Sequence, residues 1–125
     1  MKLLLAFIPP ERLQRVTEAL VGRHVHGLSV SEARGFGQEH DTAHPQHREF
    51  RGLEMTRKIR LEVICHDQEV EPILTAIYEA THTGQRGAGK VFVLPVDDAL
   101  RLMTGERGAD ALGPKRENKG GSAGP

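Results

Sequence analysis

An α+β domain made of two βαβ halves is predicted by three observations. Residues 56–65 alternate apolar and polar with period two, as a half-buried strand does. Two apolar stripes at helical spacing begin near Glu11 and His66. The turn signals between them leave the order strand, helix, strand, long loop, strand, helix, strand. At 125 residues the chain is long enough for one ordinary domain and too short for two.

The elements follow in order. Lys2 to Ile8 is a short apolar run, suited to a strand buried on both faces. Pro9 and Pro10 end it, and Pro10 with Glu11 suits a first helical turn, where a missing N–H costs nothing. Leu13, Val16, Ala19, Leu20 and Val21 then form a helical stripe, with Glu11, Arg12, Arg15, Glu18 and Arg23 off it. Gly27 signals a turn, and Leu28, Val30, Glu32 and Arg34 lead into a strand ending at Gly35, Phe36 and Gly37. Gln38 to Met55 is polar, rich in His, Glu and Arg, and without a period. It reads as a long, mobile loop, and loops of that length in a compact domain are usually functional. From Thr56 to Cys65, Ile59, Leu61 and Val63 alternate with Lys58, Arg60 and Glu62. His66 and Asp67 open a second helix, with Val70, Ile73, Leu74, Ile77 and Tyr78 on its stripe. A glycine-rich loop, Thr83 to Lys90, precedes a strand over Val91 to Val96. Asp97 to Met103 then connects to a turn at Thr104 to Gly108. The expected domain spans residues 1–112, and residues 113–125, rich in Gly, Lys, Ser and Pro, are an expected disordered tail.

Two βαβ halves with right-handed crossovers give the ferredoxin-like split βαβ fold. Its antiparallel sheet carries both helices on one face and leaves the other bare, so self-association is expected to cover it.

Composition narrows the function. Lys plus Arg and Asp plus Glu are 17 each, which removes the usual electrostatic argument for nucleic-acid binding. There is no Trp, one Tyr and only four Phe, so the core rests on Val, Ile, Leu and Ala. A monomer of this size buries limited surface, and oligomerisation relieves that shortage. Cys65 is the only cysteine and reads as a buried strand thiol; no intramolecular disulfide can form. The apolar run Leu3 to Ile8 is too short for a membrane span and lacks a signal-peptide cleavage pattern, so the chain reads as cytosolic, with no membrane insertion.

Two constellations could carry chemistry. Gly84, Gly87 and Gly89 let backbone N–H groups approach a phosphate, with Arg86 and Lys90 supplying charge. The loop lacks a Walker Gly-Lys-Ser/Thr ending, and on its own Gly84 as a helix cap explains it as well. Arg101 beside the Thr104 to Gly108 turn also suits a phosphate, although a solvated charged turn explains it in isolation.

Together, Thr83-Gly84, Gly87, Gly89-Lys90, the run Val91 to Val96, Arg101, the run Thr104 to Gly108 and Asp110-Ala111 resemble the B-loop and C-loop of the PII signal-transduction family. Gly35-Phe36-Gly37 and Lys58 match it too, and the resemblance covers Met1 to about Leu112. It implies a homotrimer with an adenine nucleotide (ADP, AMP or ATP) in each cleft between subunits. One subunit would offer Gly35, Phe36 and Gly37, with Lys58 and with Gly87, Ala88, Gly89 and Lys90 around the phosphates. Leu28, Ser29, Glu62 and Ile64 would lie near base and ribose, and the neighbour would contribute Arg101. Nothing resembles a hydrolytic centre, so a sensor rather than an enzyme is implied.

The loop 38–55 corresponds to that family's T-loop, which docks on partners and typically carries a Tyr that is uridylylated. Here position 51 is Arg51 and the loop has no Tyr, so uridylylation is not expected. Glu39, after Gln38, stands where the family has a Gln that helps hold Mg²⁺ and 2-oxoglutarate; a carboxylate there repels a dicarboxylate. Met103 replaces a second arginine, which should weaken ATP relative to ADP or AMP, while Ala88 and Pro9 are further departures. These changes resemble variants tied to carbon supply, serving a bicarbonate transporter or a carboxysome enzyme, with Arg48, Arg51 or Lys58 able to hold bicarbonate. The alternatives are a nitrogen-type regulator of an ammonium channel sensing ATP and 2-oxoglutarate, and a metal-responsive binder. The last would use His40, His44 and His47, with His24 and His26 upstream.

Overall fold

Side-chain alternation decides which way every strand faces. The computed structural model describes residues 1–23, 25–36, 55–82 and 88–113. Strands β1 (Lys2–Ile8), β2 (Ser29–Gly35), β3 (Thr56–Cys65) and β4 (Lys90–Pro95) form one antiparallel sheet in the order β2-β3-β1-β4. Helix α1 (Leu13–Gly22) leads from β1 toward β2, and α2 (Val70–Thr81) from β3 toward β4. This is the ferredoxin-like arrangement that the order of elements predicts.

Register sorts the strands into two faces. Leu4 pairs with Val63, Ala6 with Leu61 and Ile8 with Ile59, and all six are buried under the helices. Val16 and Leu20 of α1 and Ile73, Ala76 and Ile77 of α2 complete that core. The alternate residues face away from the helices. Leu3, Leu5 and Phe7 stand between Ile64, Glu62 and Arg60 on one side and Leu94, Phe92 and Lys90 on the other. β1 is therefore fully buried on one face only, and the expectation of burial on both is corrected. A continuous apolar run satisfies either arrangement, and among the described residues no layer covers the second face.

The helical stripes are narrower than their spacing implies. Val21 and Tyr78 are exposed, while Ala76, off the predicted stripe, is buried. At 100° per residue, the positions after Leu20 and Ile77 already turn away from the sheet. Tyr78 instead stacks on His82, with centroids 4.6 Å apart. The second helix begins as a 3₁₀ turn at Asp67–Glu69 before α2 proper; similar turns lie at Pro10–Arg12 and Gly108–Leu112. Cys65 is buried beneath the helices, and burial pushes its thiol pKa up to about 11, so it stays protonated. Among the described residues, no helix is long and apolar enough to cross a membrane. The expected long loop up to residue 54, residues 83–87 of the glycine-rich loop and the tail from 114 lie outside the described residues.

Candidate functional site

One end of the sheet gathers most of the expected phosphate-side residues. β2 and β1 finish there while β3 and β4 start there, because neighbours run antiparallel. Gly35 pairs with Thr56, and Ala33 with Lys58. The next row across the open face is Ser31, Arg60, Phe7 and Lys90. Lys58, Arg60 and Lys90 thus share one face within adjacent rows, a local concentration of cations in a chain of zero net charge. Phe36, Met55 and Ala88, which flank the stretches outside the described residues, all leave the sheet at this end.

Gly89 is held there by contact. Its φ is +107°, and a Cβ would stand 2.0 Å from the Phe7 carbonyl oxygen, so only glycine fits. The glycine-rich loop is thereby anchored to the end of β1, with Lys90 opposite Phe7.

Further along the same face, Ser29 pairs with Glu62, which pairs with Leu5. Glu62 accepts an ion pair from Arg60 Nε at 2.9 Å. Ile64 follows on that face, opposite Leu3. Leu28 is partly buried and packs against the core instead. The polar cationic end and the apolar Ile64 end give the face a direction.

Other expected residues are not brought together within one chain. Gly35 ends edge strand β2 with Phe36 just after it, and Ala88 to Lys90 lie at the opposite edge, three strand spacings or about 14 Å away. Arg101 belongs to a closed turn beyond β4. Its N–H donates to the Glu106 carbonyl at 2.9 Å, its carbonyl accepts from Gly105 N–H at 2.7 Å, and Nη1 lies 3.6 Å from Glu106 Oε1. Leu102 and Met103 are almost fully exposed at the tip of that turn. Gly37, Gln38, Glu39, His40, His44, His47, Arg48, Arg51 and Gly87 lie outside the described residues.

Sequence reading also missed a cluster. His66 and Glu69 sit three residues apart at the β3–α2 junction, and the fold places His26 against them. The spacing of His66 and Glu69 was visible; the approach of His26, forty positions earlier, was not.

Comparison with known proteins agrees with this architecture. A sequence profile for "Nitrogen regulatory protein P-II" matches residues 1–106. The chain is 41% identical over 117 residues to the nitrogen regulatory protein P-II of Azospirillum brasilense, covering 90% of this chain and 100% of that one. It is 34% identical over 113 residues to nitrogen regulatory protein P-II 2 of Methanothermobacter thermautotrophicus, covering 90% and 97%. It is also 39% identical over 107 residues to a P-II homolog of Arabidopsis thaliana, covering 85% of this chain and 55% of that one. With the profile spanning the whole folded sheet and the Azospirillum relative matched over its full length, this chain belongs to the P-II family, whose members are regulatory signal transducers and not enzymes.

Proposed function

We propose that this P-II protein is a cytosolic homotrimer that binds an adenine nucleotide between subunits. Residues 1–112 act as the sensing domain, and residues 38–55 carry the signal to a partner. ADP or AMP is preferred over ATP, because Met103 stands where a second phosphate-facing arginine is expected. The partner is a transporter or enzyme of carbon assimilation, with bicarbonate as the second ligand.

The observation that carries the nucleotide reading is the cationic end of the open face. There Lys58, Arg60 and Lys90 stand beside a glycine whose backbone admits no side chain. Amide donors and cations at one place suit a polyphosphate. The separation of Gly35 from Lys90 by three strand spacings supports a cleft completed by a neighbouring subunit. Glu39 and the missing loop Tyr support the carbon branch. A nitrogen-type regulator is the second reading, favoured by the names of the relatives.

Calorimetric titration with AMP, ADP and ATP, each with bicarbonate or with Mg²⁺ and 2-oxoglutarate, separates these readings. ADP or AMP binding strengthened by bicarbonate supports the carbon branch, whereas synergy of ATP with 2-oxoglutarate replaces it with the nitrogen branch. Lys90→Ala is expected to weaken nucleotide binding by roughly 10- to 100-fold, the worth of one charge-assisted hydrogen bond. No binding by the unsubstituted protein would reject the nucleotide reading itself.

A further inference from the structure

Away from the open face, the segment before β2, the β3–α2 junction and the end of the last 3₁₀ turn meet at His26, His66 and Glu69. One potential ligand atom from each lies within 4.8 Å of the other two. Glu69 Oε1 accepts the His66 backbone N–H at 2.8 Å, which fixes the carboxylate, and Oε2 lies 3.5 Å from His26 Nε2. The imidazoles meet edge to face with centroids 5.5 Å apart. His66 and Glu69 are buried, and His26 Nε2 is a buried nitrogen with no hydrogen-bond partner.

Buried polar atoms in folded proteins are nearly always satisfied, so the His26 nitrogen calls for an occupant. Either an Nε2–H proton donated to Glu69 Oε2 or a metal ion between the two atoms would satisfy that nitrogen. The spacing of this pair favours the metal. A charge-assisted N–H···O contact closes to about 2.8 Å. Ligand atoms around a tetrahedral ion with bonds near 2.1 Å stand about 3.4 Å apart. The observed 3.5 Å matches the second. Two imidazoles and one carboxylate suit a borderline transition metal and not a hard cation, which takes oxygen ligands.

We propose that His26, His66 and Glu69 bind one divalent transition-metal ion of the Zn²⁺ type. The site is separate from the open sheet face and does not depend on nucleotide binding. His66 Nε2 also lies 3.0 Å from the Gly113 carbonyl, and a Cβ added at Gly113 would stand 3.7 Å from the His26 ring. The ion therefore fastens the last described turn to the β3–α2 junction and to the approach to β2.

The test uses the full chain, stripped with chelator and dialysed against Zn²⁺, with Co²⁺ absorption as a second readout. His24, His40, His44, His47 and His82 are replaced by Asn so that the only histidines left are the two of the buried site. This variant is expected to retain one Zn²⁺ per chain, to give a tetrahedral Co²⁺ spectrum and to melt at higher temperature with Zn²⁺. Adding His26→Gln or Glu69→Gln should weaken Zn²⁺ binding by more than roughly 100-fold, beyond the loss caused by an outer-shell change. Glu69→Gln keeps an acceptor for the His66 N–H and guards against simple misfolding. Loss of Zn²⁺ binding in the fivefold variant, or its survival in both ligand variants, overturns the proposal.

Discussion

Gly89 shows how one residue constrains a loop. Its left-handed φ and the nearby Phe7 carbonyl each exclude a side chain, and the obstructing atom is backbone that cannot rotate away. Gly89→Ala is expected to destabilise the fold by about 1–3 kcal/mol, the range for backbone strain, read as a lower urea midpoint. An unchanged midpoint would mean that the loop leaves β1 at little cost. Core positions obey a different rule: Leu4, Leu20 and Leu61 are buried and interchangeable in character, whereas Gly89 is specified by geometry.

At the scale of elements, the turn beyond β4 is held by one carboxylate. Asp98 accepts the Ala99 N–H at 2.8 Å and the Gly108 N–H at 3.1 Å, and pairs with the Arg107 guanidinium. The Arg107 hydrogen bond is the largest cause holding the Asp98 pKa below its ordinary value. A depressed carboxylate pKa stabilises the fold above the unfolded value, and that contribution is lost as pH falls through the folded one. Asp98→Asn retains an acceptor but loses the charge. The wild type is therefore expected to have a slightly higher denaturant midpoint at neutral pH, with the gap closing as Asp98 protonates in acid. A gap that persists in acid would place the effect in the amide's geometry. The effect is small because the pair is exposed.

At the scale of the molecule, the sheet face that no described residue covers is the largest demand left on the fold. Phe92, Ile64 and Leu94 are 49%, 40% and 38% exposed, and Phe92 meets Phe7 edge to face at 6.4 Å between centroids. A contiguous apolar face of this kind marks an association surface. Phe92→Glu is expected to shift sedimentation from trimer to monomer and to abolish nucleotide binding with it. A trimer that survives this substitution would move the interface elsewhere, and a monomeric wild type would reject self-association.

Periodicity determined the elements. The alternation of Ile59, Leu61 and Val63 with polar neighbours fixes the β3 face whatever packs on it, and the bounds of β1 and β3 were legible to the residue. The glycine and lysine pattern likewise marked the family. Only tertiary structure decided that Val21 and Tyr78 face outward, because helical spacing cannot tell the centre of a stripe from its edge. Only tertiary structure showed that Gly89 abuts Phe7 and that His26 meets His66 and Glu69. Contacts between residues distant in the chain are set by strand register and helix docking, and no local pattern encodes them.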